Sequence, residues 1–403
     1  MKRIVVLGAG FAGIKTVVEL QKKMREEVEI VLVDRNPFHC ETFRLYDVAS
    51  GKEPYTAVSY PVSDVINPKM TTFIQDEVKR INYKDKTVEL ARHKPLKYDY
   101  CVIGLGFTLN TMGIGGADEN ALPMYNVKSA EAIRDHIYAS MKDYRETKNP
   151  NDLTIVMCGS GFQAVEVTSA IATSRESYAK VAGVSPDQIK IKMFNGSPRM
   201  LPMFDDKQLD YALEQIKNND IEIINSARIT KIFSDMVYYK QGKNDDTEHK
   251  LAANNIIWLM GFSGNPVITA SGFKERRGKI TVTDHLTAPE SEDIYVLGDV
   301  ASVLQPGKSW PWPNTGQLAL SMANYAADDI RARVMGHSRP NKYVYHDLGV
   351  FVDLGKKAVG TAMGTKLHGY PASVMKKITI DKSVWETGGL KETLAIGRFD
   401  MYH

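Results

Sequence analysis

Cysteine is scarce. The 403 residues carry three, Cys40, Cys101 and Cys158, far apart and without a CxxC pair. That excludes a zinc ribbon and a disulfide framework, leaves no metal site expected, and fits a reducing cytosolic compartment. A long apolar run is also missing: the longest, 256–262 (IIWLMGF), is about a third of the roughly 20 residues a membrane-spanning helix needs. Neither sign of charge dominates. Lys+Arg 51 against Asp+Glu 48 leaves +3, so nothing marks a nucleic-acid binder. The start, MKRIVVLGAG, is too short in its apolar run for a signal peptide and flows into a glycine motif; a folded, cytosolic amino terminus is expected.

What is present is ordinary globular composition: 43% hydrophobic, 25% charged, 30 Gly and 17 Pro. The chain is too long for one core, so two or three domains are expected. Arg3 to Leu7 (RIVVL) is a β-branched run suited to a strand buried on both faces of a parallel sheet. A helix from Phe11 to Met24 follows at helical spacing, then a strand over Val28 to Val33. The pattern recurs at Leu153 to Cys158, a helix from about Phe162, and Ile189 to Phe194. Two βαβ openings about 150 residues apart indicate an α/β chain with two Rossmann-like dinucleotide-binding domains. Further strands are expected at 99–105 and 293–299, helices at 129–146 and 314–334, and a meander ending at 256–260.

The first turn, Gly8-Ala9-Gly10-Phe11-Ala12-Gly13, is a full GxGxxG between strand and helix, with Asp34 placed where a ribose hydroxyl would sit. Its glycines permit a tight turn, a pyrophosphate against the backbone, and close helix–strand packing, while the helix amino terminus supplies positive charge. The second turn, Gly159-Ser160-Gly161-Phe162-Gln163-Ala164, is GxGxxA, and its second strand ends at Asn195 instead of an acidic residue. Asn195 can bond a ribose hydroxyl, but it would not repel a ribose 2′-phosphate. Nicotinamide binding there competes with a turn that has lost its ligand.

The whole chain resembles the two-dinucleotide-binding-domain flavoproteins, and among them the type II NADH dehydrogenases. The resemblance rests on GAGFAG with Asp34, GSGFQAVE, SPRMLPMF (197–204), IWLMGF (with Gly261), YVLGDVA (295–301), NTGQLAL (314–320) and MKK (375–377). It implies FAD at Gly8, Gly10, Phe11, Ala12, Gly13, Asp34 and Arg35, with Asp299 on the ribityl chain and Gly106 near the flavin. NADH, or NADPH as the alternative donor, would meet Gly159, Gly161, Phe162, Asn195 and Gly261. Gly316 and Gln317 would open a helix aimed at the isoalloxazine and the quinone pocket, Glu166 would stand beside nicotinamide and flavin, and Lys376 would approach the flavin. Glu166 and Gln317 are the catalytic candidates. Two departures stand out: Asn195 where an acidic residue is usual, which puts NADH preference in doubt, and Gly316 where alanine is more usual. Disulfide and sulfide:quinone reductases need a redox cysteine pair that this chain lacks.

The implied activity is FAD-dependent, non-proton-pumping oxidation of NADH with two-electron reduction of a membrane quinone. A soluble NAD(P)H oxidase or reductase on the same scaffold, and a flavin-binding protein with a decayed nicotinamide site, are the alternatives. The division implied is an FAD-binding domain in two parts, 1–118 and 276–336, an NAD(P)H-binding domain at 119–275, and an α+β module at 337–403 for membrane association and dimerisation. In that module Val374, Met375, Ile378, Lys382, Val384 and Trp385 could share a face, with Leu390, Leu394, Ile396 and Phe399 following. Lys and Trp beside an apolar face suit a helix lying on a bilayer; packing on the flavin domain or a dimer interface is the competing reading. The expected location is cytoplasmic, peripheral to the inner face of the cell membrane, with a homodimer through this module.

Overall fold

The computed structural model describes residues 1–24, 28–242 and 247–399. The RIVVL run forms the strand Lys2–Leu7 inside a six-stranded sheet, parallel to Val28–Asp34 on one side and to Tyr100–Ile103 on the other. Val5 faces both Val31 and Cys101 in register. Helices cover this sheet, and Ile4 to Leu7 are fully buried, which is why no polar residue alternates along the strand. Thr71–Gln75 forms one edge beside Val28–Asp34, and Ser291–Val296 pairs parallel with Tyr100–Ile103. The Phe11–Lys23 helix packs against the helix Gly316–Met335. The first sheet is therefore finished by chain from near residue 300, beyond an intervening unit in the sequence.

That unit is built on a five-stranded sheet in the order Leu122–Pro123, Asn255–Trp258, Thr154–Cys158, Lys190–Asn195, Ile221–Asn225, with parallel neighbours throughout. The meander expected after it is a three-stranded antiparallel sheet of Ala227–Phe233, Met236–Gln241 and His249–Ala252; it stops short of the expected end at 256–260, because Asn255–Trp258 pairs parallel inside the five-stranded sheet instead. Thr108–Leu109 pairs antiparallel with Phe262–Ser263, a two-stranded ribbon where the chain leaves and re-enters the first unit. Cys101 and Cys158 lie fully buried in their strands, and all three cysteines are free.

The carboxy-terminal segment is α+β: strands Phe351–Asp353, Ala358–Ala362 and Thr365–Gly369, antiparallel, then the helix Tyr370–Ile396, broken at Gly389 (φ 73°). Its outward face differs from the sequence reading. Ile378, Trp385, Leu390, Leu394 and Phe399 are exposed as expected, but Val384 and Ile396 are buried against Tyr60. Helical geometry explains the split. Ile378 and Trp385, seven residues apart, share one face, whereas Ile380 and Val384, four apart, share the opposite one. No helix among the described residues is long and apolar enough to cross a membrane.

The approach to this segment is fixed by a buried carboxylate. Asp329 is fully buried on the Gly316–Met335 helix and accepts the Tyr295 hydroxyl at 2.7 Å and Arg339 Nε at 2.8 Å. Asp329→Ala should lower unfolding free energy by about 2 kcal/mol, because it leaves the buried Tyr295 hydroxyl without its acceptor and Arg339 with Glu292 alone. Chemical denaturation followed by fluorescence checks this.

Candidate active site

The site is assembled where the carboxyl ends of both parallel sheets face each other. At the first glycine turn Gly8 has φ +99°, and a Cβ on it would lie 2.3 Å from the Gly104 carbonyl oxygen. A Cβ on Gly13 would lie 1.7 Å from the Gly8 carbonyl oxygen. Gly10 differs: a Cβ there would meet nothing within 4 Å. Two glycines of the motif thus close the helix onto the strand, and the middle one faces open space, as a diphosphate against the backbone requires. Asp34 Oδ2 accepts the Ala9 N–H at 2.7 Å and Oδ1 accepts the Asn36 N–H at 2.7 Å. Burial raises its carboxyl above the ordinary value despite these donors and Arg35, which is itself exposed. Phe11 stacks on Phe43 with ring centroids 5.3 Å apart, and Ala12 is buried.

Opposite this turn, Asp299 follows the strand Ser291–Val296. Burial raises its carboxyl, while the Asn314 side chain and Lys279 pull it down. Asn314 Nδ2 is buried and makes no close hydrogen bond, its side chain acting on the Asp299 carboxylate. Lys279, whose ammonium is depressed by burial against the pull of Asp299, faces the same space. The Gly316–Met335 helix begins here, capped by Thr315, whose side chain accepts the Leu318 N–H at 3.1 Å. Gly316 and Gln317 line the space, with the helix's positive end toward it.

These elements enclose a cavity of about 2210 Å³, several times what a drug-sized ligand needs. Gly8, Gly10, Phe11, Ala12, Asp34 and Arg35 line it from the first turn; Gly106, Asp299, Gly316 and Gln317 do so from the far side. Phe162, Gln163 and Glu166 enter from the second unit, and Met375 and Lys376 from the carboxy-terminal helix. Glu166 is buried, and its Oε1 accepts Lys376 Nζ at 2.7 Å; Lys376 Nζ also donates to the Phe351 carbonyl at 3.2 Å. Two residues singled out separately in the sequence are therefore one ion pair.

The second turn repeats the logic of the first. Gly159 has φ +130° with the Leu259 carbonyl oxygen 2.9 Å from a Cβ position, whereas Gly161 faces open space. Gly261, φ +71°, is held by the ribbon, since a Cβ would meet the Asn110 carbonyl oxygen at 2.6 Å. Neither Gly13, Gly159, Gly161, Asn195 nor Gly261 lines the large cavity itself. Asn195 is buried, and its carboxamide is engaged: Oδ1 accepts Ser160 Oγ at 2.8 Å and the Ser197 N–H at 3.1 Å, and Nδ2 donates to Asn225 Oδ1 at 3.0 Å. Of the Asn195 carboxamide, one N–H is left for a ribose hydroxyl.

Sequence reasoning missed three participants. Lys279 belongs to no fixed-spacing motif, and Asn314 opens NTGQLAL without having been given a role of its own. His39 is fully buried, with Nδ1 2.8 Å from the Ala9 carbonyl oxygen and Nε2 3.3 Å from Glu41 Oε1; its only signal was its place just past Asp34.

The open face of Gly10 and the flanking carboxylates Asp34 and Asp299 fit FAD. Gly10→Ala should keep the melting temperature but purify with little flavin. Gly13→Ala should fail to fold, since its methyl would displace the Gly8 carbonyl. Thermal denaturation and the flavin absorbance of the purified variants separate the two.

Comparison with known proteins agrees with this geometry. The pyridine nucleotide-disulphide oxidoreductase family matches residues 2–323. A type II NADH:quinone oxidoreductase of Staphylococcus saprophyticus is 30% identical over 406 residues, covering 99% of both chains, and one from Staphylococcus aureus matches equally. Among solved structures, NDH2 from Plasmodium falciparum in complex with NADH superposes with a TM-score of 0.85 at 17% identity over 98% of this chain and 97% of that one. The sulfide:quinone oxidoreductase of Aquifex aeolicus gives a TM-score of 0.79 at 20% identity, over 96% and 92%; it shares the fold, and this chain has no close cysteine pair. Full-length similarity to the first group, together with the two glycine turns and the Glu166–Lys376 pair on one cavity, places this chain in the type II NADH:quinone oxidoreductase family.

Proposed function

We propose that the chain oxidises NADH and reduces a quinone, using FAD. The observation that carries this is the single cavity shared by the first glycine turn, the start of the Phe162–Thr173 helix and the carboxy-terminal helix. A dinucleotide along the first turn would leave room in it for a second planar ligand. FAD supplies hydride acceptance and two-electron transfer when bound. Gly8, Gly10, Phe11, Ala12, Gly13, Asp34 and Arg35 would hold its adenosine diphosphate half, and Gly106, Asp299, Gly316 and Lys376 its flavin half. Gly159, Gly161, Phe162, Asn195 and Gly261 would hold the nicotinamide nucleotide.

The residues' own work follows from their chemistry. Gln317, in the first turn of its helix, would orient the quinone, and the helix's positive end would favour negative charge at the ring site. Glu166, buried and paired with Lys376, is placed to hold a proton at Oε2, the oxygen that Lys376 leaves free. We assign the domains as 1–118 with 276–336, 119–275 and 337–403. The exposed face Ile378, Trp385, Leu390 and Leu394, beside Lys382 and Lys391, would rest on the cytoplasmic membrane surface, where a quinone resides. A homodimer through the same module is the other use of that face.

Two outcomes test this. Under anaerobic conditions NADH should bleach the flavin band and a soluble quinone restore it. Glu166→Gln should bleach at the normal rate but turn over quinone about 10²-fold more slowly. In vesicle sedimentation the wild type should co-pellet with lipid, and Trp385→Ser combined with Leu394→Ser should stay in the supernatant. Persistent co-pelleting would remove the membrane assignment of that face.

A further inference from the structure

The two glycine-turn units end their second strands in the same geometry but with different chemistry. In the first, Asp34 closes Val28–Asp34, and its Oδ1 accepts the N–H of Asn36, two residues on, at 2.7 Å. In the second, Asn195 closes Lys190–Asn195, and its Oδ1 accepts the N–H of Ser197, again two residues on, at 3.1 Å. The two side chains stand in equivalent places, one a carboxylate and the other a carboxamide. A backbone N–H only donates, so the Ser197 contact fixes which end of the Asn195 carboxamide is oxygen. Its nitrogen donates to Asn225 at 3.0 Å, which makes that acceptor the Asn225 oxygen. The Asn225 nitrogen, on an exposed residue, is left without a partner among the described residues. Side-chain N–H groups, not carboxylate oxygens, are therefore what these strand ends have to spare.

The charge around them has one sign. The stretches that follow Thr154–Cys158, Lys190–Asn195, Ile221–Asn225 and Asn255–Trp258 are 159–161, 196–199, 226–228 and 259–261. They hold no Asp or Glu and two cations, Arg199 and Arg228. Arg199 donates to Asp206 Oδ1 at 2.7 Å, but the Asp206 side chain is 85% exposed, and such a surface pair is weak. Asp205, the neighbouring acid, is taken by Lys366. Arg228 is exposed and in no ion pair among the described residues. The carbonyl oxygen of Ala227, the residue before it, lies 3.2 Å from where a Cβ on Gly196 would stand. Beyond the glycine's chain neighbours nothing else comes within 4 Å of that point, so space is open between Asn195 and the start of Arg228.

An acidic residue at this strand end accepts from a ribose 2′-hydroxyl and repels a 2′-phosphate, and so selects the unphosphorylated dinucleotide. Asn195 keeps a hydrogen bond for the hydroxyl and exerts no repulsion. A phosphate is matched by N–H donors and by arginine. We propose that this chain takes NADPH as well as NADH as hydride donor, its 2′-phosphate seated beside Asn195 and Asn225 and met by Arg228. The proposal rests on the dehydrogenase reading above and widens its donor class. NADPH, H⁺ and quinone give NADP⁺ and quinol. The nicotinamide C–H bond breaks with its electron pair, quinone gains two electrons and two protons, and the 2′-phosphate takes no part.

Asn195→Asp turns the second strand end into the first, where Asp34 shows that a carboxylate accepts the same N–H. The test is the ratio of second-order rates at which NADPH and NADH bleach the flavin anaerobically. In the wild type the two rates should lie within about tenfold, since only exposed contacts distinguish the donors. Asn195→Asp should lower the NADPH-to-NADH ratio by about 10²-fold, because two like charges then meet, and Arg228→Ser should lower it by about tenfold. Added salt should slow NADPH more than NADH. A readout independent of turnover is calorimetry of the FAD-loaded enzyme with adenosine 2′,5′-bisphosphate and with adenosine 5′-monophosphate. The bisphosphate should bind at least as tightly as the monophosphate, and Asn195→Asp should reverse that order. A wild type favouring NADH by more than tenfold overturns the proposal, as does a ratio that Asn195→Asp leaves unchanged. If the variant does not fold, the wild-type ratio and calorimetry decide. If neither nucleotide bleaches the flavin, the dehydrogenase reading fails, and calorimetry alone decides the 2′-phosphate site. A bisphosphate that binds more than tenfold more weakly than the monophosphate, or not at all, overturns that site.

Discussion

The contact on which the site depends is the ion pair between Glu166 and Lys376, formed by residues 210 positions apart. Both side chains are largely withdrawn from water, at 7% and 12% exposure. A buried pair gains little over an apolar substitute, but removing one partner typically costs about 3–5 kcal/mol. The carboxy-terminal helix is thus tied to the second nucleotide unit at the point where both meet the cavity. Lys376 reaches the Phe351 carbonyl as well, so the small antiparallel sheet is drawn into the same junction. A surface ion pair could not impose such an arrangement, being worth well under that amount.

A second buried chain links the same helix to the first unit. Ser383 donates to Glu41 Oε2 at 3.1 Å, Glu41 faces His39, and His39 meets the Ala9 carbonyl in the glycine turn. A carbonyl oxygen only accepts, so Nδ1 donates to Ala9 and Nε2 faces the Glu41 carboxylate. The inner face of the helix serves both nucleotide units, while its outer face carries Ile378, Trp385 and Leu394. One helix therefore puts the cavity and the apolar surface within a helix diameter of each other, roughly 10 Å.

Much of the first unit was legible because its determinants are local. RIVVL must be buried on both faces, Gly13 meets the Gly8 carbonyl within its own βαβ unit, and Asp34 lies one strand away from Ala9. The same holds for GSGFQA and the strand ending at Asn195. The carboxy-terminal segment was less legible. Its outer apolar positions were recognised, but Val384 and Ile396 were placed with them, because two apolar stripes on one helix cannot be told apart until a neighbour such as Tyr60 covers one. Lys279 and His39 have no periodicity or motif to mark them, and Asn314 sits in NTGQLAL without a signal of its own; each acquires its role from a partner supplied by another part of the fold.

The sequence by itself determined two glycine-turn nucleotide units, the absence of a redox cysteine pair and an amphipathic last helix, because backbone sterics and side-chain periodicity act over a few residues. Only the tertiary structure decided that Glu166 and Lys376 are partners and that the Asn195 oxygen is already bonded. Those facts depend on which charges share one poorly solvated space, and long-range packing alone brings them there.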